Sequence, residues 1–370
     1  MNLHLMPVYS HLSHDLIDVL NSSFPKEDNL FIVREPFPKM HEYDNCIADS
    51  SCFSVSFINA HAVEYRRIFL HYNFLKPHQI MRLTDEAAKK IVWVVWGDDL
   101  YYVKHRYEPP RSLFGLARSA FYIWSHYSLL YGIIRQKAKR KVQQFFAVGI
   151  GYSYDEVIIH KLFGKEVRVM LAPVVTRNRL QYTYDDVREE HASKHTDVIN
   201  VLIGHSGFCF HNHEQSIRLL SKFKKENIHI NMVLSYGAST RRVSKLSNLA
   251  IRTFGIEKVS ILTEVLPYTE YCRFLASMDI AVFPFAHQAA LGNAKMLAYA
   301  GIKLYLDPKG ALSQGFLAGG VKTYDYHHIK QETWSEFCLP AELPEKNASL
   351  FSRSYEDNIT AWAKLLESES

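Results

Sequence analysis

Short runs of β-branched and aromatic residues recur along the chain, separated by stretches of helical length. The pattern predicts strands at 30–34, 54–58, 68–72, 91–95, 145–148 and 168–171, and a second series at 198–203, 228–234, 260–264, 280–285 and 303–306. Continuous apolar runs of this kind, alternating with helical segments, are the signature of parallel strands covered on both faces. Between the two series lies 176–197, rich in charge and poor in large apolar residues, which reads as a linker. An amphipathic segment at 355–366 reads as a closing helix, and there is neither a solenoid-period repeat nor a low-complexity tract. The expectation is an α/β protein with two Rossmann-like, doubly wound parallel-sheet domains (1–178 and 196–353) facing a cleft, followed by a C-terminal helix (354–370). Ligands are expected at the carboxyl ends of the strands, where open α/β sheets bind them.

With 370 residues, the chain is long enough for two domains that each bury a core, and 48% hydrophobic with 22% charged residues excludes general disorder. Five cysteines, without a C-x-x-C pair, argue against a disulfide framework or a cysteine zinc site and for a reducing compartment. The first residues, Met1-Asn2-Leu3-His4-Leu5-Met6-Pro7, lack the basic-then-apolar order of a signal peptide, and no run reaches the ~18 apolar residues of a membrane span. A cytoplasmic protein, soluble or attached to a surface, is the expectation.

Charge is unevenly placed. The window 101–141 carries +8 of formal charge and leaves the rest of the chain at −3, for a net +5. The same window is aromatic and apolar before it ends in Arg135-Gln136-Lys137-Ala138-Lys139-Arg140-Lys141. This suits a helix lying on an anionic bilayer, and equally a buried helix with a solvated basic end. No nucleic-acid-binding module accompanies the patch, so nucleic acid is not an expected partner.

Three elements could carry chemistry. Gly204-His205-Ser206-Gly207 follows an apolar strand and precedes a helical segment for which Asn212 is placed as cap; such a turn exposes N–H groups and lets an anion approach, or is simply steric. His287-Gln288-Ala289-Ala290-Leu291-Gly292-Asn293 opens another helix after a strand, a site for a diphosphate at a helix N-terminus to which the Gln288 and Asn293 side chains could add donors, or a plain cap. Trp96-Gly97-Asp98-Asp99-Leu100-Tyr101 follows the strand 91–95, and its carboxylates suit general-base work on an acceptor hydroxyl, binding of a sugar hydroxyl, or helix capping. His71, ending another strand, falls at the same sheet edge and could bind phosphate or an acceptor or move a proton near neutral pH. His211 and His213 suggest no zinc site, since third and fourth ligands are not apparent.

These motifs resemble glycosyltransferase family 56. Trp96-Gly97-Asp98-Asp99-Leu100-Tyr101 matches that family's W-G-x-D-L-Y element, and Gly204-His205-Ser206-Gly207 with Asn212-His213 is similar to its G-N-S-x(n)-N-H segment, with His205 in place of asparagine. Ser235-Tyr236-Gly237 resembles its S-Y-G turn and Ala290-Leu291-Gly292-Asn293 its A-L-G-N helix start. The resemblance implies a GT-B fold and metal-independent transfer without a cofactor, the donor being a dTDP-linked deoxyamino sugar bound by the C-terminal domain. It implies an undecaprenyl-diphosphate-linked saccharide as acceptor, at the cytoplasmic face of a bacterial membrane reached through 101–141. Gly204, His205, Ser206, Gly207, Asn212, Ser235, Tyr236, Gly237, Glu264, Gln288, Leu291, Gly292 and Asn293 would form the donor side. Trp96, Asp98 and Tyr101 would face the acceptor, with Asp99 as base and His71 second. UDP- or GDP-sugar transfer, including fucosyl transfer, is the enzymatic alternative; a membrane-associated glycan- or nucleotide-binding scaffold is the non-enzymatic one.

Overall fold

In a computed structural model, all strands of the first unit pair in parallel. They are β1 (Asn2–Met6), β2 (Asn29–Val33), β3 (Cys46–Ala48), β4 (Ile68–His71), β5 (Ile91–Val94), β6 (Ala147–Ile150) and β7 (Val169–Leu171), in the order β3-β2-β1-β4-β5-β6-β7. The second unit repeats the scheme with β8 (Ile199–Ile203), β9 (Ile228–Val233), β10 (Val259–Leu262), β11 (Ile280–Phe283), β12 (Lys303–Leu306) and β13 (Tyr324–Asp325), in the order β10-β9-β8-β11-β12-β13. Described are residues 1–7, 11–38, 40–97, 99–101, 129–173, 182–286, 288–346, 348–351 and 353–367. The two units comprise residues 1–177 with 354–370, and residues 178–353.

Both sheets reverse their order beside their first strand, between β1 and β4 and between β8 and β11. Central strands β1, β4, β5, β6, β11 and β12 are buried at every position, as strands covered on both faces must be. The first core gathers Leu16, Leu20, Phe31, Val33, Phe69 and Val94 around Trp362, Leu365 and Leu366 of the closing helix Tyr355–Glu367. Trp362 is 1% exposed, and its indole N–H donates to the carbonyl of Pro173 at 2.9 Å. The second core joins Val201, Ile203, Ile217, Met232, Leu246, Val282 and Phe337. All five cysteines are free.

Three sequence expectations change. Residues 54–58 form no strand: Ser54 accepts the Phe57 N–H at 3.2 Å and starts the helix Val55–His61, which buries Ile58 and, one turn on, Ala62. The expected linker carries a helix, Tyr184–Ala192, started by a capping box in which Thr183 and Asp186 exchange side-chain and backbone bonds. Its acidic residues serve the helix start and an ion pair, Asp185 accepting from Tyr299 and Lys346, while Val187 is fully buried. Residues 174–181, the rest of the linker's first half, lie outside the described residues. Finally, β1 is central in its sheet although the pattern does not offer it, because Asn2 and His4 interrupt the apolar run; both are buried and hydrogen-bonded.

Trp362→Ala should cost the first unit ~3–5 kcal/mol, the range for emptying a large buried aromatic site. Urea denaturation of the full chain measures it; a cost under ~1 kcal/mol would mean that the closing helix is not part of that core.

Candidate functional site

At the β8/β11 reversal two loops leave adjacent strand ends. Gly204 has φ +66°, and a Cβ there would meet His213 Nε2 at 2.7 Å, so the close approach of loop and helix requires glycine. The loop is fixed to both neighbours. Gly204 N–H donates to Val282 O at 3.4 Å and Gly207 N–H to Tyr236 O at 2.7 Å, while Arg242 Nε donates to Gly207 O at 2.9 Å. The expectation that these two glycine amides meet a diphosphate is therefore corrected: both are committed to holding the loop. Asn212 is corrected as well. It precedes the helix His213–Leu220 but makes no side-chain cap; at φ +52° it donates instead through Nδ2 to Pro284 O at 2.9 Å, bracing the loop after β8 against the loop after β11.

The second loop ends in an open helix head. Ala290 takes φ +57°, no side chain caps the helix Leu291–Ala300, and its first bond runs from Ala294 N–H to Ala290 O at 2.8 Å. The N–H groups of Leu291, Gly292 and Asn293 thus precede the helical ladder, at the positive end of the macrodipole. The Asn293 amide donates to the Tyr271 hydroxyl at 2.7 Å, so it orients the helix start instead of standing free. Gln288 is half-buried just before this head; His287 lies outside the described residues. Ser235 is half-buried and Tyr236 48% exposed after β9, with Gly237 at φ +77° beneath the Phe208 ring. Glu264 is exposed beyond β10, the far edge strand.

A histidine group underlies the first loop. His205 and His211 have ring centroids 4.3 Å apart, His211 and His213 5.8 Å, and Ser206 Oγ lies 2.9 Å from His211 Nε2. Burial holds His205 down at about 3 and His213 at about 4, so both are neutral near pH 7. Among the described residues no group of three or more His, Cys, Asp or Glu could hold a metal ion. Tyr271 and Arg242, which the sequence reading passed over, are fixed here by long-range bonds that no local motif encodes.

In the first unit the expected base is corrected. Asp99 is 1% exposed and both of its oxygens are taken: Oδ2 accepts Trp93 Nε1–H at 2.7 Å and Asn73 N–H at 3.0 Å, and Oδ1 accepts Trp96 N–H at 2.9 Å. Burial raises its carboxyl above the usual range, and the hydrogen bonds from Trp93, Asn73, Trp96 and its own backbone N–H oppose that rise. Asp99 is thus a clamp on the turn after β5 and not a free acceptor of a substrate proton. Tyr101 is 6% exposed and donates to Asp155 at 2.7 Å; burial pushes the Asp155 carboxyl up to about 7. Trp96 is half-buried, and Asp98 lies outside the described residues, as do 102–128 of the basic window. His71, 1% exposed, is 2.9 Å through Nε2 from His4 Nδ1.

Two parallel sheets in Rossmann order, in one chain, are the architecture of the GT-B fold. Solved structures of that architecture superpose over nearly the whole chain: sucrose-phosphate synthase from Thermosynechococcus elongatus (TM-score 0.59, 12% identical, 99% of this chain and 96% of that one) and WaaG, a glycosyltransferase involved in lipopolysaccharide biosynthesis (0.54, 11%, 99% and 94%). Anabaena HepE, solved in complex with UDP and glucose, is similar at TM-score 0.52 and 10% identity, over 98% and 94% of the chains. Identities this low speak for the fold alone. The family is given by sequence: the profile described as 4-alpha-L-fucosyltransferase glycosyl transferase group 56 matches residues 36–367, and the chain belongs to that family of glycosyltransferases.

The Asp99 clamp makes a clear prediction. All three of its partners are N–H donors, so Asp99→Asn sets an NH2 group against at least one of them. The variant should lose ~1–3 kcal/mol of stability, as for a buried donor left without an acceptor. Full stability in a chemical denaturation curve, with activity alone reduced, would return Asp99 to catalysis.

Proposed function

We propose that this enzyme moves a deoxyamino sugar from a dTDP-linked donor to a saccharide carried on undecaprenyl diphosphate, at the cytoplasmic face of a bacterial membrane and without a metal ion. The observation that carries the donor half is the open head of the helix Leu291–Ala300 at the β8/β11 reversal. Uncapped amides and a helix dipole there suit a diphosphate, and dipole interactions of this kind contribute ~0.3–1 kcal/mol per charge. As the leaving nucleoside diphosphate gains charge, the same amides stabilise it more than they stabilise the intact donor, which is the requirement for rate enhancement. A deoxy sugar is supported by the family's description, since fucose lacks the 6-hydroxyl. A UDP-sugar donor is the second reading, favoured by the complex of Anabaena HepE with UDP-glucose.

The membrane half draws on the helix Leu129–Val142. It buries Ala138 and Val142 and presents Ile133 (46% exposed), Lys137 and Arg140 at spacings of four and three, on one face. Lys141 is engaged with Asp85 at 2.5 Å and belongs to the fold. No helix among the described residues is long and apolar enough to cross a membrane. An apolar side chain one turn before two exposed cations suits attachment to an anionic lipid surface.

Two measurements test these halves. In thermal shift, dTDP at a hundredfold excess over its Kd should raise the melting temperature by about 5 °C or more, and UDP and GDP by less. Gly292→Val should abolish the shift; an undiminished one would remove this helix head from the site, and a larger response to UDP would select the second reading. In co-sedimentation with phosphatidylglycerol vesicles, Lys137→Gln with Arg140→Gln should weaken binding about thirtyfold, from ~1 kcal/mol per cation. Unchanged pelleting would assign this face to another role.

A further inference from the structure

A continuous polar path crosses the otherwise apolar face of the first sheet. In β1, His4 stacks between Phe31 of β2 (4.6 Å) and Phe69 of β4 (4.4 Å), its register neighbours on either side. Two residues on from Phe69 and on the same face, His71 stacks on Trp362 at 6.2 Å. Asn29, His4 and His71 are all within 1% of complete burial. Burying such groups in a core is costly unless each finds its partner, and apolar residues of similar shape would avoid that cost.

The bonds fix the direction of every proton along this path. Asn29 Nδ2 donates to Pro25 O at 3.4 Å, which turns Oδ1 toward His4 Nε2 at 3.1 Å. Oδ1 can only accept, so His4 carries its proton on Nε2 and offers a lone pair at Nδ1. That lone pair takes the proton of His71 Nε2, 2.9 Å away. Both rings are neutral, burial holding His4 at about 3 and His71 well below its ordinary value. His71 Nδ1 is therefore a bare acceptor, and it is buried without a protein partner. Trp96 Nε1, a donor only, is buried and equally unpartnered, and the two rings meet edge-to-face at 6.3 Å. An unmatched acceptor and an unmatched donor in neighbouring rings call for a group that both donates and accepts, as a hydroxyl does.

Their position is informative. His71 ends β4 at the β1/β4 reversal, the counterpart in this sheet of the β8/β11 reversal in the other. The next residue, Tyr72, stands at φ +64°, a strained conformation for a bulky side chain and one that clusters at functional sites. Trp96 is the half-buried member of the pair, while its Nε1, like His71 Nδ1, is a buried atom.

We propose that His71 Nδ1 and Trp96 Nε1–H bind the attacking hydroxyl of the acceptor saccharide, that His71 is the general base, and that His4 and Asn29 are positioning residues which fix its tautomer. The inference rests on the glycosyl-transfer reading above. In the step, the acceptor O–H bond breaks and its proton passes to His71 Nδ1. The oxygen's electron pair forms the bond to the anomeric carbon, and the bond from that carbon to the β-phosphate oxygen breaks, its electron pair leaving with the nucleoside diphosphate. The imidazolium so formed keeps its Nε2–H on His4 Nδ1, whose lone pair is held in place by Asn29.

The test uses the full-length enzyme with the dTDP-linked deoxyamino sugar and an undecaprenyl-diphosphate-linked saccharide. The double variant His4→Phe/His71→Phe removes both rings together and extends the existing aromatic stack, and Asn29 Oδ1 keeps Asn2 Nδ2 as a donor at 3.4 Å, so the variant should fold and bind dTDP as the parent does. Its kcat should fall ~10²–10⁴-fold, the usual contribution of a general base. Trp96→Phe, which deletes only the N–H, should raise the acceptor KM several-fold more than it lowers kcat. Nitrogen-15 NMR of labelled histidine should find His4 and His71 neutral and protonated on Nε2 at pH 7, a readout independent of turnover. Parental kcat in the double variant, a joint loss of dTDP binding and activity, or an Nδ1-protonated His71 would each overturn the proposal. Failure of the unmodified enzyme to bind dTDP would instead count against the donor reading.

Discussion

Parallel pairing is the constraint from which the rest follows. It sends all strands of a sheet out at one edge, and where the order reverses, at β1/β4 and β8/β11, consecutive connections depart to opposite faces and leave a gap between adjacent strand ends. Among the described residues, the non-glycine residues with positive φ all fall at those places. Gly204, Asn212 and Ala290 flank one reversal with positive φ, and Tyr72 follows the other. A non-glycine residue in that region is strained, so the neighbouring bonds must over-determine it. Asn212 shows how: its side chain is anchored on Pro284, across the gap from its own strand.

The two halves solve different problems with different chemistry. In the second unit the loop amides of Gly204 and Gly207 are consumed in joining β8, β9 and β11, which frees the helix head after Ala290 to present its own. In the first unit the buried side-chain atoms without a partner include ring nitrogens of His71 and Trp96, together with Asn2 Oδ1. The W-G-x-D-L-Y element accordingly reads as architecture: Asp99 gathers Trp93, Asn73 and Trp96 around one carboxylate, and Trp96 is the residue so positioned at the mouth of the turn.

Much of the fold was legible because apolar periodicity is local. The runs at 91–95, 228–234, 280–285 and 303–306 became β5, β9, β11 and β12 nearly residue for residue. Failures came where local pattern and tertiary setting disagree. Asn2 and His4 disguise β1, because the partners that make their burial tolerable, Asn29 and His71, lie 25 residues or more away. Residues 54–58 have too little alternation to outweigh a serine cap, and β3 and β13, three and two residues long, carry no pattern to read. At the candidate site, the motifs marked loops but not which of their atoms the fold engages. Nothing local says that Gly207 gives its amide to Tyr236, or that Asp99 faces inward.

That distinction bears on how a fold can persist at 10–12% identity while the chemistry at its sheet edges changes. Burial tolerates exchange among apolar residues of similar volume, so strand and core positions drift freely. A polar path through the same core does not drift in this way, since removing one member leaves the next without a partner. Asn29, His4 and His71 must therefore change together or not at all, and a set of side chains under that restriction, ending in an open nitrogen at a strand-order reversal, is better explained by what it delivers to that edge than by any stability it adds.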